Sequence, residues 1–409
     1  MSRKSLPLAA ALLAALVLIS GCNLSGSTTE VETVTFSPNG GTINYGDTVT
    51  LSCKTKDAVI YYSFDSKFNP SNYLKKGTEG SSVEITKTGT VTLYAVAADS
   101  SGNTSTRTKA AFEVLTTENS ALYLGNPSNA VTDVSYTENY LMEKSTYALS
   151  YNNTTHNPNW VSWHLCSDDL GSVTRSDKRS DGTGFHADKD LPEGWYRVLY
   201  SDYTNSGFTR GHMIPSNDRT LTNEENDEVF LMTNMVPQTK NNNNTVWEGL
   251  EDLEINSFVK SSGKELYIIC GPYGMGGNYA GPSSDTVVTY SADYYGNLET
   301  VNYIPLKNTE DAGYSEDDNG IVVPASTWRV EIILDEGEGD LSRIDSDTTV
   351  IAINVPNTYE CLYTETGTKK SWTDYITTID AIEELTGYDF FANLPDDVEA
   401  VLEAKVYEP

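Results

Sequence analysis

Between residues 31 and 115 apolar and polar positions alternate in short runs. Val34–Ser37, Thr48–Cys53, Ala58–Phe64 and Thr90–Ala98 are separated by Gly, Asn, Asp and Ser. A period of two broken by turn formers predicts strands, and several in succession predict a small all-β unit of sandwich type. Past Thr116–Ser120 the pattern changes. Short strands and loops surround Trp160–Leu165, and Val229–Met235 is apolar with few breaks, as a buried strand would be, with Pro237 ending it. Val246, Leu250 and Leu253 then recur at helical spacing, with an Asn just ahead as a favoured cap. Upstream, Gly207 and Gly211 bracket Thr209 and Arg210 so that the backbone can turn sharply, and Pro215 blocks a helix, which leaves His212 on a strand or loop. The order is strand, strand, helix with an antiparallel return, in an α+β fold. On the helix Asn243, Trp247 and Glu251 form an i, i+4, i+8 ridge, with about 12 Å of rise between the first and last.

The polar residues of this stretch suit phosphodiester hydrolysis. They include an imidazole for proton transfer, a neutral oxygen ligand for a hard cation, and a carboxylate farther along the helix. The segment resembles the ββα-metal (His-Me finger) core of the DNA/RNA non-specific endonucleases. The matching residues are Arg210-Gly211-His212, Asn234-Met235-Val236-Pro237-Gln238, Asn243, Trp247 and Leu250-Glu251. Further blocks resemble that family at Asn157–Leu165, Lys264–Gly274, Val323–Leu334 and Ile382–Pro395, so that residues 120–409 are covered. The implied fold is a nuclease domain built on a central antiparallel sheet.

The resemblance implies a role for each residue. His212 takes the proton from the attacking water, an ordinary imidazole being suited to this at neutral pH. Asn243 is the one direct protein ligand of Mg²⁺, or of Mn²⁺ in its place, and Glu251 holds a water of that ion. Asn234 corresponds to the family Asn beside the histidine and metal, with a strand-end Asn capping a turn as the alternative. Arg175 is placed to contact the phosphate, with Arg179 as the alternative, and Arg210 belongs to the catalytic motif. The chain departs from the family at two positions. Thr209 stands where Asp is usual, and Ile255 stands where a second phosphate-binding arginine is common. Losing one preorganised donor costs about 10²–10³ in rate, which predicts a slow enzyme. It also predicts that an arginine at 255 would reach the phosphate region.

The N-terminal pattern adds a location. Arg3 and Lys4 precede an apolar run from Leu6 to Ile19, too short to span a membrane, and then Ile19-Ser20-Gly21-Cys22 fits a bacterial lipobox. Residues 1–22 are read as a lipoprotein signal, with an ordinary signal peptide as the alternative. Lipidation of Cys22 would anchor the mature chain in the cell envelope, facing the periplasm or the cell surface. Residues 23–30 are small and polar, a tether. Residues 31–115 resemble the sandwich repeat at the C-terminal end of chitobiase/hexosaminidase-type enzymes. They read as a spacer, with polysaccharide contact through Tyr45, Tyr61, Tyr62 and Tyr73 as the alternative, since all six Trp lie elsewhere.

Charge argues against simple electrostatic capture of nucleic acid. The net charge is −31, and from Trp160 to Lys260 there are 9 Lys/Arg against 17 Asp/Glu. Such a surface weakens the salt-sensitive part of phosphate binding, leaving the metal and a few arginines to receive the backbone. The alternative functions are a catalytically attenuated nucleic-acid-binding lipoprotein or a carbohydrate-binding one. With only four histidines the sequence argues against a multi-histidine metal site, and His156, His164 and His186 read as structural. Export permits disulfides among Cys53, Cys166, Cys270 and Cys361 in three pairings, with Cys270 also suited to a buried thiol.

Overall fold

The computed structural model describes residues 31–44, 47–64, 66–67, 75–77, 81–85, 89–115, 120–279, 299–307 and 320–409. The signal, Cys22, the tether, Tyr45, Tyr73 and most of the 116–120 linker lie outside the described residues.

Alternating residues at the N-terminal end build two sheets of three and five strands. Their inward positions, among them Val49, Leu51, Ile60, Leu93 and Phe112, form a core of their own. Tyr61 and Tyr62 lie on the strand Val59–Ser63 and are half-buried, with Tyr62 packed against that core.

The larger part is organised by a six-stranded antiparallel sheet. Its strands are β1 (Tyr140–Glu143), β2 (Ala148–Asn152), β3 (Asn157–Leu165), β6 (Lys264–Tyr273), β7 (Ser326–Asp335) and β8 (Thr349–Pro356). They lie in the order β8-β7-β6-β3-β2-β1. The middle strands β3 and β6 are buried on both faces, which is why β6 carries the continuous apolar run Leu266–Cys270 instead of an alternation. One face packs on Trp163, Trp247, Leu250 and Phe230, and the other on Trp160, Trp328, Ile382 and Phe390. The architecture is α+β with a small all-β unit at its N-terminal end.

The first face carries a two-stranded ribbon of β4 (Thr209–His212) and β5 (Met235–Gln238). Antiparallel pairing sets Thr209 opposite Gln238 and His212 opposite Met235. The expected strand at Val229–Met235 is displaced. Val229–Asn234 closes the helix α1 (Asn223–Glu228) and makes a tight turn, and the strand begins only at Met235. Pro237, expected to end a strand, lies within β5 opposite Arg210, because a two-stranded ribbon tolerates a missing N–H on its outer side.

After β5 a helix, α2, spans residues 240–262. Thr239 caps it by accepting from Asn242 N at 3.2 Å, so the capping residue is a threonine and not the expected asparagine. Asn242–Trp247 and Glu254–Val259 are π-type turns, with Glu248 N–H bonding Asn243 O and Lys260 N–H bonding Ile255 O. All four described cysteines are free thiols, Cys53, Cys270 and Cys361 being buried.

Candidate active site

The ribbon and α2 meet over a cleft of about 410 Å³ lined by Arg175, Arg210, His212, Pro215, Ser216, Asn217, Asn243, Asn244, Glu248, Glu251 and Asp252. Gly211 leaves room for the Gln238 side chain to pass, since a Cβ there would lie 1.6 Å from Gln238 Oε1. Gln238 in turn donates to Asn242 Oδ1 at 2.8 Å, tying β5 to the first turn of the helix.

His212 is 8 % exposed, with its ring centroid 4.8 Å from Phe230 and 5.4 Å from Phe185. Its Nε2 is buried without a hydrogen-bond partner among the described residues. Burial, and secondarily the Arg175 guanidinium, hold its pKa well below the ordinary imidazole value. The ring is therefore neutral and proton-accepting at pH 7, which is more strongly biased toward the base form than an unperturbed histidine.

Asn243 Nδ2 donates to Thr209 Oγ1 at 2.9 Å, which leaves the Oδ1 oxygen for the cleft. Glu251 shares the cleft, and its carboxyl is pushed up to about 8 by burial, against an opposing pull from Arg329 and with Asp218 and Glu248 adding to the rise. Arg329 is buried behind it on β7, bonded to Glu254 and to Glu331 (2.6 Å) and packed over Trp163 at 4.9 Å.

The structure separates the two arginine candidates. Arg175 lines the cleft with its guanidinium carbon 4.8 Å from the Phe230 ring centroid, and its Nε donates to Asp177 at 3.0 Å. Arg179 is turned away, ion-paired with Asp227 and Asp181 and bonded to the Thr174 carbonyl at 2.9 Å. Arg210 lines the cleft on the β4 side, its guanidinium carbon 3.6 Å from the Tyr200 ring centroid.

Asn234 does not line the cleft. It is fully buried, its Oδ1 accepts from Ile214 N at 3.0 Å, and its Nδ2 donates to the Ile214 and Val229 carbonyls at 3.0 and 2.8 Å. Two of these bonds clamp the backbone that follows His212, and the third ties Asn234 to the end of α1. His156, His164 and His186 are held elsewhere. His156 packs against Tyr196, His164 bonds Glu265 at 3.1 Å, and His186 Nδ1 bonds the Gly184 carbonyl at 2.8 Å.

Two expectations about the helix fail. Trp247 is 1 % exposed and belongs to the core, and so does Ile255 at 5 %. The π-type turns rotate the side chains away from i+4 stacking, so Glu248, five residues after Asn243, reaches the cleft instead of Trp247. Glu248 and Asp252 are acidic cleft residues that no α-helical ridge drawn from Asn243 would have found.

Oxygen donors dominate this lining, and its carboxylates do not converge into a group of three ligand atoms. Among the described residues such groups occur only away from the cleft, at His164-Cys166-Asp169, His164-Glu265-Asp340 and Asp380-Glu383-Glu403. The donors of the cleft suit a hydrated hard cation better than a protein cage.

A model of the family described as DNA/RNA non-specific endonuclease matches residues 124–397. A protein named Nuclease from Nostoc sp. is 40% identical over 285 residues, which is 70% of this chain and 85% of that protein. A protein named Nuclease from Syncephalastrum racemosum is 36% identical over 152 residues, 37% of this chain and 43% of its own length. One chain of a crystal structure of the EndoG/EndoGI complex is 19% identical with a TM-score of 0.46, over 68% of this chain and 92% of that one.

Proposed function

The chain belongs to the DNA/RNA non-specific endonuclease family, and from that premise we propose that it hydrolyses phosphodiester bonds of DNA and RNA in the cleft around His212. The carrying observation is that a buried, neutral imidazole shares one cleft with Asn243, Glu251, Arg175 and Arg210. His212 would accept the proton of the attacking water at a ring nitrogen as the bond from phosphorus to the leaving oxygen breaks. Arg175 would receive the phosphate, and Arg210 would frame the other side of the cleft. Asn243, with Glu251 acting through water, would hold Mg²⁺ or Mn²⁺. Such an ion supplies Lewis-acid stabilisation of charge on the phosphate and leaving oxygen.

Charge supports the need for a cation. Glu248 and Asp252 line the cleft together with Arg175 and Arg210, and Asp177 already pairs with Arg175. A phosphate diester would meet little net attraction there without added positive charge. Further parts of the proposal rest on sequence alone. Cys22 would carry lipid and hold the enzyme at a bacterial envelope, and residues 31–115 would space the nuclease from the membrane. A plasmid-nicking assay of the full-length chain with added Mg²⁺, repeated with EDTA, tests the core of the proposal. Nicking that EDTA abolishes is the expected result, and nicking unaffected by EDTA, or none at all, defeats it.

A further inference from the structure

Tyr200 is 52 % exposed. Tyr273 and Tyr363 are also exposed, but Tyr200 alone of these packs on a residue that lines the cleft. The Arg210 guanidinium carbon lies 3.6 Å from its ring centroid, and Arg210 also donates to the Tyr200 carbonyl oxygen at 3.0 Å. Ring and backbone are thus both fixed to β4, two residues before His212. Phe185 completes the support, 6.1 Å from the Tyr200 ring, 5.5 Å from the Arg210 guanidinium and 5.4 Å from the His212 ring. With a guanidinium covering one face of Tyr200, its exposure falls on the opposite face and the edges.

We infer that Tyr200, backed by Arg210, is a stacking platform for the nucleobase next to the cleaved phosphate, and that it favours unpaired bases. This rests on the proposed hydrolysis of nucleic acid in the same cleft. An aromatic face suits this acidic protein, because stacking draws on the base and not on the phosphate charge that the surface repels. Every base has a π-face, so the platform grips without reading sequence. A base inside a duplex has both faces covered by its neighbours, so the platform engages single strands, loops and ends.

The test uses the full-length wild type, Tyr200→Ala and Tyr200→Phe with fluorescent single-stranded and duplex oligonucleotides. A third substrate is the single strand with an abasic site beside the main cleavage position. Tyr200→Ala should raise KM on the single strand about ten-fold with kcat little changed, and Tyr200→Phe should match wild type. Wild type should lose a similar factor on the abasic strand, and Tyr200→Ala should lose nothing further. Equal losses on single strand, duplex and abasic strand would overturn the platform, and so would a Tyr200→Ala variant indistinguishable from wild type. Should wild type cleave no substrate, the hydrolysis reading fails separately. Anisotropy titrations of the same oligonucleotides in EDTA then decide the platform, which predicts weaker single-strand binding by Tyr200→Ala and is refuted by equal binding.

Discussion

Asn243 donates through Nδ2 to Thr209 Oγ1 at 2.9 Å, while the Thr209 hydroxyl spends its only proton on the Gln238 carbonyl at 2.9 Å. That arrangement fixes the amide. A hydroxyl already donating to Gln238 can only accept from Asn243, so the side-chain nitrogen must face Thr209 and the oxygen must face the other way. The threonine that replaces the usual aspartate is therefore a positioning group for the proposed cation ligand, carried on the same strand as His212.

Thr209→Val keeps the shape of the side chain and removes both bonds. The Mg²⁺ concentration for half-maximal activity should rise about ten-fold, as is usual when the partner of a ligand is lost. Thermal stability should fall only slightly. A metal titration of cleavage checks this, and an unchanged midpoint would show that Thr209 does not orient Asn243.

His212→Ala should reduce metal-dependent cleavage by at least about 10²–10⁴ while leaving the fold intact. The pH profile is the more specific check. Burial and Arg175 hold the imidazole pKa below its ordinary value, so the base form persists as pH falls and the acid limb of kcat/KM should lie below about 6.5. Arg175→Ala lowers the rate and also removes a cationic neighbour, so its acid limb should move toward higher pH. A limb that stays in place would remove Arg175 from the electrostatics of the histidine.

Stability should respond to pH through a different group of carboxyls. Asp380, Glu383 and Glu403 converge where α3 (Ile379–Thr386) meets α4 (Asp396–Glu403). Burial followed by like-charge repulsion raises Glu399 to about 7 and Glu403 to about 8. A carboxyl with a raised folded-state pKa binds protons better in the folded chain. Its contribution is therefore full below the unfolded value near 4.5 and is lost as pH rises through about 7 to 8. The melting temperature should fall between about pH 5 and pH 8, and Glu403→Gln should flatten that decline. An equally steep decline in the variant would assign the effect to other groups.

Much of the site could be read from the residues because its parts are local. Gly211 and Pro215 confined His212 to a short strand, and the spacing of Val246, Leu250 and Leu253 marked the buried side of a helix. The remainder depended on contacts distant in sequence. Asn234 looked chemical by its motif, but the Ile214 and Val229 backbones occupy its amide. The capping box of Thr222 and Glu225 starts α1 just ahead of what read as an apolar strand. No propensity marks a π-type turn, so Glu248 and Asp252 were hidden by the assumption of uniform α-helical spacing.

The last prediction concerns where a cation can be added. On an ideal helix, residue 255 follows Glu251 by one turn and an arginine there would point at the phosphate. In the structure Ile255 is buried in the core with Val259 and Leu266, so Ile255→Arg must desolvate a guanidinium among apolar side chains. It should cost about 3 kcal/mol or more in stability and bring no gain in turnover. Asp252 is exposed and lines the cleft, and Asp252→Arg replaces a repelling charge with an attracting one. Its KM for a fluorescent oligonucleotide should fall at low salt, and the salt dependence should steepen by about one ion. Melting curves and KM measured across a salt series separate the two variants. A stable Ile255→Arg enzyme with raised kcat would restore the α-helical register, and an Asp252→Arg variant with unaltered salt dependence would show that substrate passes elsewhere.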